Sequence, residues 1–190
     1  MDGLTHLPAA PELGFRRLRR DDFGDLERWL SAPHVRLWWG DPLDAAGVEK
    51  QFGPCVDGAD PTMVFVTTLA SRAIGMVQTY LLSDTPEYEA AVGVTGAAGM
   101  DLFIGEPDVL GVGLGKAIVR KFVDEIGWEA FPTVKRYMAG PSARNIRSRR
   151  TFEAAGFVYT HQVDVPGEPD PEAVMVLERD SVPEASAEIG

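Results

Sequence analysis

Asp101-Leu-Phe-Ile-Gly-Glu-Pro-Asp-Val-Leu-Gly-Val-Gly-Leu-Gly-Lys116 starts as a short apolar strand, breaks at Gly105 and Pro107, and runs through a glycine cluster into a helix. Leu114, Ile118, Phe122 and Ile126 recur at helical spacing, with Val119 and Val123 on adjoining rows, so one stripe of that helix is apolar. The first N–H groups of a helix have no internal partner and face outward, where an anion can sit. Glycines at 111, 113 and 115 remove the side chains that would hold a phosphate away. The stretch Val112, Gly113, Leu114, Gly115, Lys116 is therefore expected to cradle a phosphate at a strand-to-helix junction. Two other uses fail on spacing. A Walker loop needs glycine at 110 and Ser or Thr at 117, which are Leu and Ala, and a dinucleotide fingerprint needs glycine at 116, which is Lys.

The 190 residues, 45% of them hydrophobic, suit one globular domain with a sizeable core. The expected layout is a loose lead-in over 1–12, a single domain over 13–180 and a disordered acidic tail over 181–190. A lone Cys55 provides neither a disulfide framework nor metal-ligand spacing. No apolar run approaches membrane-spanning length and the N-terminus lacks a signal pattern, so a cytoplasmic location and no membrane partner are expected. A net charge of −11 argues against nucleic acid and favours a small cationic partner. Lys135, Arg136, Arg144, Arg147, Arg149 and Arg150 run against this trend. They suit a solvated helix face or a ligand with several phosphates equally well.

Phe15–Leu18 reads as a first strand, followed by a helix capped by Asp21 or Asp22 and carrying Phe23, Leu26, Trp29 and Leu30. His34 to Gly40 reads as an aromatic loop and 44–53 as a weak short helix. Met63–Leu69 and Ala73–Leu82 read as paired strands around an Ala70-Ser71-Arg72 turn. Residues 83–99 read as a long link, Thr133–Met138 as a strand, and Ser142 as the cap of a helix running to Ala155. Phe157–Val163 and Ala173–Leu177 close the chain, joined by a Pro/Gly/Glu/Asp turn over 166–172. The order indicates mixed α/β (α+β) architecture.

The Gly113-x-Gly115 pair and the segment Asn145…Phe152-Glu-Ala-Ala-Gly-Phe157 resemble the motifs of the GCN5-related N-acetyltransferases. The resemblance extends from Phe15 to about Arg179. Within that family the chain is most similar to the aminoglycoside 6'-N-acetyltransferases, through Trp38-Trp39-Gly40, Gly75-Met-Val-Gln-Thr-Tyr80, Gly99-Met-Asp101 and Gly111-Val-Gly-Leu-Gly115. It implies a mostly antiparallel mixed sheet of about six to seven strands, flanked by about four helices and splayed at an acetyl-CoA site, in a monomer or homodimer. Four positions depart from the family pattern. Leu110 stands for Arg or Gln, Phe152 for a Tyr often assigned as proton donor, Gly140 for an acid, and Ala90-Ala91-Val92 for acids of the acceptor loop.

The resemblance implies that acetyl-CoA is the co-substrate. Its diphosphate would lie on the cradle, with Arg149 nearby, and its pantetheine arm along Leu102–Ile104 and against Asn145. An N–H of Leu102 or Phe103 would face the thioester oxygen. Strand alternation places Asp101 on the face opposite Leu102 and Ile104, and a carboxylate there can accept a proton from an ammonium. Asp101 is the expected catalytic base. Gln78 and Tyr80 share a strand face, and they are expected, with Trp38, Trp39, Tyr88 and Asp170, to contact the acceptor. One tryptophan of the pair is expected to be core and the other to face ligand. Acetyl transfer to an aminoglycoside amine is the leading expectation. The alternatives are a siderophore-type lysine acyltransferase and a CoA-binding sensor without turnover.

Overall fold

The computed structural model describes residues 12–40 and 43–179. The expected lead-in, apart from Glu12, and the expected tail lie outside these residues. Leu13–Arg17 (β1), Met63–Leu69 (β2), Arg72–Leu81 (β3), Ala98–Ile104 (β4), Arg136–Ala139 (β5), Val158–Val163 (β6) and Glu172–Glu178 (β7) form one sheet in the order β1-β2-β3-β4-β5-β7-β6. Every neighbouring pair is antiparallel except β4 and β5. Ala70 and Ser71 both take positive φ, 49° and 69°, which suits the two-residue hairpin turn between β2 and β3.

Period-2 alternation divides the core between the two faces. Val64, Val66, Met76 and Phe103 point to one face, where Leu26, Trp29 and Leu30 of Phe23–Leu30 (α1) and Val48 and Phe52 of Ala45–Asp57 (α3) cover them. Phe65, Val77 and Met100 point to the other, beneath Ile118, Val119 and Phe122 of Leu114–Phe122 (α5), which runs on through a π-helical turn into Trp128–Ala130 (α6), and beneath Phe152 of Ile146–Ala154 (α7). Each such fully buried side chain contributes about 1.5–3 kcal/mol of transfer free energy. Ile74 packs on the same face as Val77 because the β2–β3 register skips it: Thr67 pairs with Gly75 and Thr68 with Ala73.

Several local expectations are corrected. His34–Gly40 is not a loop: Pro33–Trp39 forms a helix (α2) with proline in its first turn, ended by Gly40 at φ 108°. The 83–99 link contains a second short helix, Pro86–Val92 (α4), also opened by proline and ended by Gly93 at φ 67°. The α3 helix extends to Asp57, past the expected 53, and Asp44 caps it by accepting from Gly47 N at 2.8 Å. Asn145, not Ser142, caps α7, its side chain accepting from Ser148 N at 3.0 Å. Asp22 does not cap α1 with its side chain. It is buried and takes two bonds from Arg16, at 2.7 and 2.6 Å, and one from Arg19 N.

Candidate active site

The β4–β5 ladder holds only two residue pairs, Ala98–Tyr137 and Gly99–Met138, after which the strands part. β4 continues to Ile104, paired on its other side with β3. At either end of that ladder, Leu82 N donates to Ala97 O and Gly105 N donates to Ile74 O. Antiparallel bonding alternates along a strand, so Asp101 and Phe103 bond toward β3, while Leu102 and Ile104 turn N–H and C=O into the gap. His34 confirms the direction, since its Nε2 contacts Ile104 O at 3.0 Å. Of the two donors expected, Leu102 faces the opening and Phe103 does not. The Phe103 ring is buried edge-on to Trp39, centroids 4.9 Å apart, and to Trp29.

Beyond β4, Glu106 bonds Trp29 Nε1, Arg28 and Arg72, and Arg72 also grips Asp108, fixing the turn that leads to the cradle. Gly111 and Gly113 take positive φ, 81° and 87°, a conformation costly to residues with a Cβ. Among the described residues, the N–H groups from Gly111 to Lys116 find no protein partner. Nothing lies within 4 Å of where a Gly113 Cβ would stand, so the space beside Gly113 is open. This donor set fits a diphosphate. Gly115 lies against Thr151 of α7, and Arg147 Nη2 reaches to 3.8 Å of the Gly111 Cβ position. Arg149 instead turns away, donating to Ala143 O at 3.3 Å with its guanidinium over the Tyr159 ring. Arg147 is thus the arginine that the fold brings to the cradle.

A cavity of about 950 Å³ opens at the parting of β4 and β5. Of the residues expected to meet the acceptor, Trp38, Trp39, Gln78, Tyr80, Tyr88 and Asp170 line it, together with Asp101. Leu102 and Asn145 also line it, as do Ser148 and Phe152 on the face of α7. Trp39 packs on Phe103 and Trp38 is 42% exposed, so the pair divides between core and cavity. Asn145 spends its carbonyl oxygen on the helix cap, which leaves its NH₂ for the cavity. Phe103, Ile104, Arg149 and the cradle residues lie outside this cavity's lining.

Asp101 stands opposite Gln78 in the β3–β4 register, and Gln78 Nε2 donates to Asp101 Oδ2 at 2.9 Å. Burial raises the Asp101 carboxyl above its ordinary range, Gln78 and Tyr80 act against that, and nearby Glu168 adds to it. Tyr80 is itself raised, first by burial and then by Asp101. Gly99 gives the Tyr80 ring its place, since a Cβ there would lie 2.5 Å from it. Glu172 on β7, which the sequence left in a linking turn, is a second buried carboxylate in the cavity. It accepts from the Tyr88 hydroxyl at 2.8 Å and is pushed up to about 7, chiefly by burial. Asp170 bonds Ser142 and Arg144. Among the described residues, no cluster of His, Cys, Asp and Glu is placed to hold a metal ion, and no helix is long and apolar enough to cross a membrane.

A family model described as acetyltransferase (GNAT) domain matches residues 19–165. The aminoglycoside N(6')-acetyltransferase type 1 of Klebsiella pneumoniae is 28% identical over 158 residues, which cover 81% of this chain and 78% of that protein. Among solved structures, aminoglycoside acetyltransferase AAC(6')-Ib in complex with coenzyme A superposes with a TM-score of 0.74 at 28% identity, over 88% of this chain and 95% of that one. The same enzyme in complex with paromomycin and acetyl-CoA superposes with a TM-score of 0.75 at 26% identity, over 93% and 99% of the two chains.

Proposed function

The chain belongs to the GNAT acetyltransferase family, and on that premise we propose that it moves an acetyl group from acetyl-CoA to a primary amine of a polycationic amino sugar, the 6'-amino group of an aminoglycoside. The observation that carries this reading is the placing of Asp101 beside the parting of β4 and β5, in a cavity walled by carboxylates. Glu87, Glu168, Asp170 and Glu172 line the same space, against Arg36 as the one basic residue in the lining among the described residues. Arg144, nearby, is committed to Asp170 at 3.0 Å. Such a field gathers cations and disfavours anionic acceptors. The solved relatives with coenzyme A and with paromomycin support the same pairing of ligands.

The N–H groups from Gly111 to Lys116, with Arg147, would hold the diphosphate of acetyl-CoA, and the open edge at Leu102 and Ile104 would pair with its amide-bearing arm. Bound there, acetyl-CoA supplies the acyl group as a thioester. The Leu102 N–H faces the gap, where it can bond the thioester carbonyl oxygen as that atom gains negative charge, a contribution of a few kcal/mol. Asp101 attracts the acceptor ammonium and takes its proton at a carboxylate oxygen, directly or through water, leaving the amine lone pair free to attack. A carboxyl raised by burial is better matched to this task than an ordinary aspartate. Phe152 lines the cavity without a proton to give, so the departing thiolate takes its proton from solvent or a neighbouring hydroxyl.

Thiol release from acetyl-CoA, measured over a panel of aminoglycosides, lysine derivatives and linear polyamines, tests this function. Aminoglycosides should react with the highest kcat/KM. Reaction confined to lysine derivatives would transfer the chain to the siderophore type. Binding of acetyl-CoA without turnover of any amine would make it a sensor.

A further inference from the structure

Gly140 follows β5 without a side chain, and a carboxylate fills the space that it leaves. A Cβ at position 140 would lie 2.0 Å from Glu172 Oε2 and 2.8 Å from the Tyr88 hydroxyl, so the glycine is what admits the pair. Glu172 is 8% exposed, and its Oε2 takes the Tyr88 hydrogen bond at 2.8 Å. Its Oε1 has no partner among the described residues, and the side chain lines the cavity. Among the described residues no cation pairs with it: Arg144 is held by Asp170 at 3.0 Å. Burying a carboxylate without a counter-charge is costly. The sheet order places β4 and β7 on either side of β5, so Asp101 and Glu172 flank the strand whose end opens the site.

We infer that Glu172, held by Tyr88 in the space left by Gly140, anchors a second ammonium group of the acceptor, one that is not acetylated. This rests on the cavity being the amine-acceptor site. Asp101 then takes the reacting amine and Glu172 the bystander, and acceptors are selected for carrying both.

The groups facing Glu172 are Tyr88 on α4, Tyr80 on β3, Asp101 on β4, and Glu168 and the Asp170–Arg144 pair on the segment before β7. Apart from the committed Arg144, all are neutral or negative. An arriving ammonium supplies the missing counter-charge and draws the carboxyl into its ionised form. Binding of a multiply charged acceptor should therefore release a proton near neutrality, where burial, Asp101 and Glu168 hold the Glu172 carboxyl at about 7.

Glu172→Gln keeps the shape and removes the charge. With kanamycin as an acceptor bearing several amines and 6-amino-6-deoxyglucose as one bearing a single amine, the variant should raise KM for kanamycin roughly ten-fold or more. Its kcat should change less than its KM, and KM for the single amine should rise several-fold less than KM for kanamycin. In the wild type KM for kanamycin should rise as pH falls from 8 to 6, and that rise should shrink in the variant. Tyr88→Phe, which leaves Glu172 unheld and removes a bond that favours its charged form, should show a smaller change of the same kind, and it carries the comparison if Glu172→Gln does not fold. Equal KM changes for both acceptors, or none, would overturn the anchor while leaving acetyl transfer intact. Failure of the wild type to acetylate either acceptor would overturn the acceptor site itself and the anchor with it.

Discussion

Gln78 and Asp101 stand opposite each other on β3 and β4, and the Gln78 amide donates to the Asp101 carboxylate at 2.9 Å. That bond favours the charged form and opposes burial, which raises the carboxyl. Asp101 must be ionised to take a proton, so activity should fall on the acid side as the carboxyl protonates. Gln78→Ala removes the opposing bond and should move the acid limb of kcat/KM to higher pH by about one unit. A pH–rate profile checks this. An unmoved limb would remove Gln78 from control of the base.

Gly113 takes φ 87° with open space around it. Gly113→Val forces a β-branched residue into that conformation, at about 1–2 kcal/mol, and hangs a side chain over the outward N–H groups. Calorimetric titration with coenzyme A should show affinity falling roughly ten-fold or more, while the melting temperature falls by about 2–8 °C and the variant stays folded at the titration temperature. Undiminished affinity would place the diphosphate elsewhere.

Glu172 is held at about 7 in the folded chain, above its ordinary 4.5. Between those two values the folded chain binds more protons than the unfolded one, so this group erodes stability as pH rises through that window. The full penalty is felt above pH 7. Glu172→Gln should melt close to the wild type at pH 5 and above it at pH 8, by about 2–5 °C. A gap that does not grow with pH would mean that burial does not hold this carboxyl up.

Glu106 behaves oppositely. It is buried and accepts from Arg28 at 2.6 Å, from Trp29 Nε1 at 2.9 Å and from Arg72 at 2.9 Å, and these partners hold its carboxyl below the usual range. Its contribution is present above the ordinary carboxylate range and is lost as pH falls through its lowered value. Glu106→Ala orphans the buried Trp29 N–H and should cost about 2–3 kcal/mol in urea unfolding at pH 7. The difference from wild type should narrow below pH 4.

The strand, glycine cluster and helix from Asp101 to Ile126 were legible because two periods and a break lie within one stretch of sequence. Alternation alone placed Gln78 and Tyr80 on one face of their strand, and the structure aligns both with Asp101. The helix Pro33–Trp39 was hidden because its N-cap, Ala32, has no capping side chain and aromatic density reads as a loop. Pro33 and Pro86, each in a first helical turn, were the signals available. Arg147 and Arg149 differ by two residues, about 200° around a helix, so which of them meets the cradle depends on where α7 begins. The sequence reading set Arg149 beside the cradle, and the structure brings Arg147 there instead. Glu172 was invisible because it closes a turn rich in Pro, Gly and acids, and its meaning comes from Gly140 and Tyr88, both far away in sequence. No local pattern announces such a pocket.

The most direct test of Asp101 as the proton acceptor compares thiol release by wild type and Asp101→Asn with kanamycin, with coenzyme A affinity measured on the same samples. The expected result is release by the wild type, a kcat lower by about 10²–10⁴ in the variant, and coenzyme A affinities that agree within about two-fold. Equal turnover by the two proteins would contradict it.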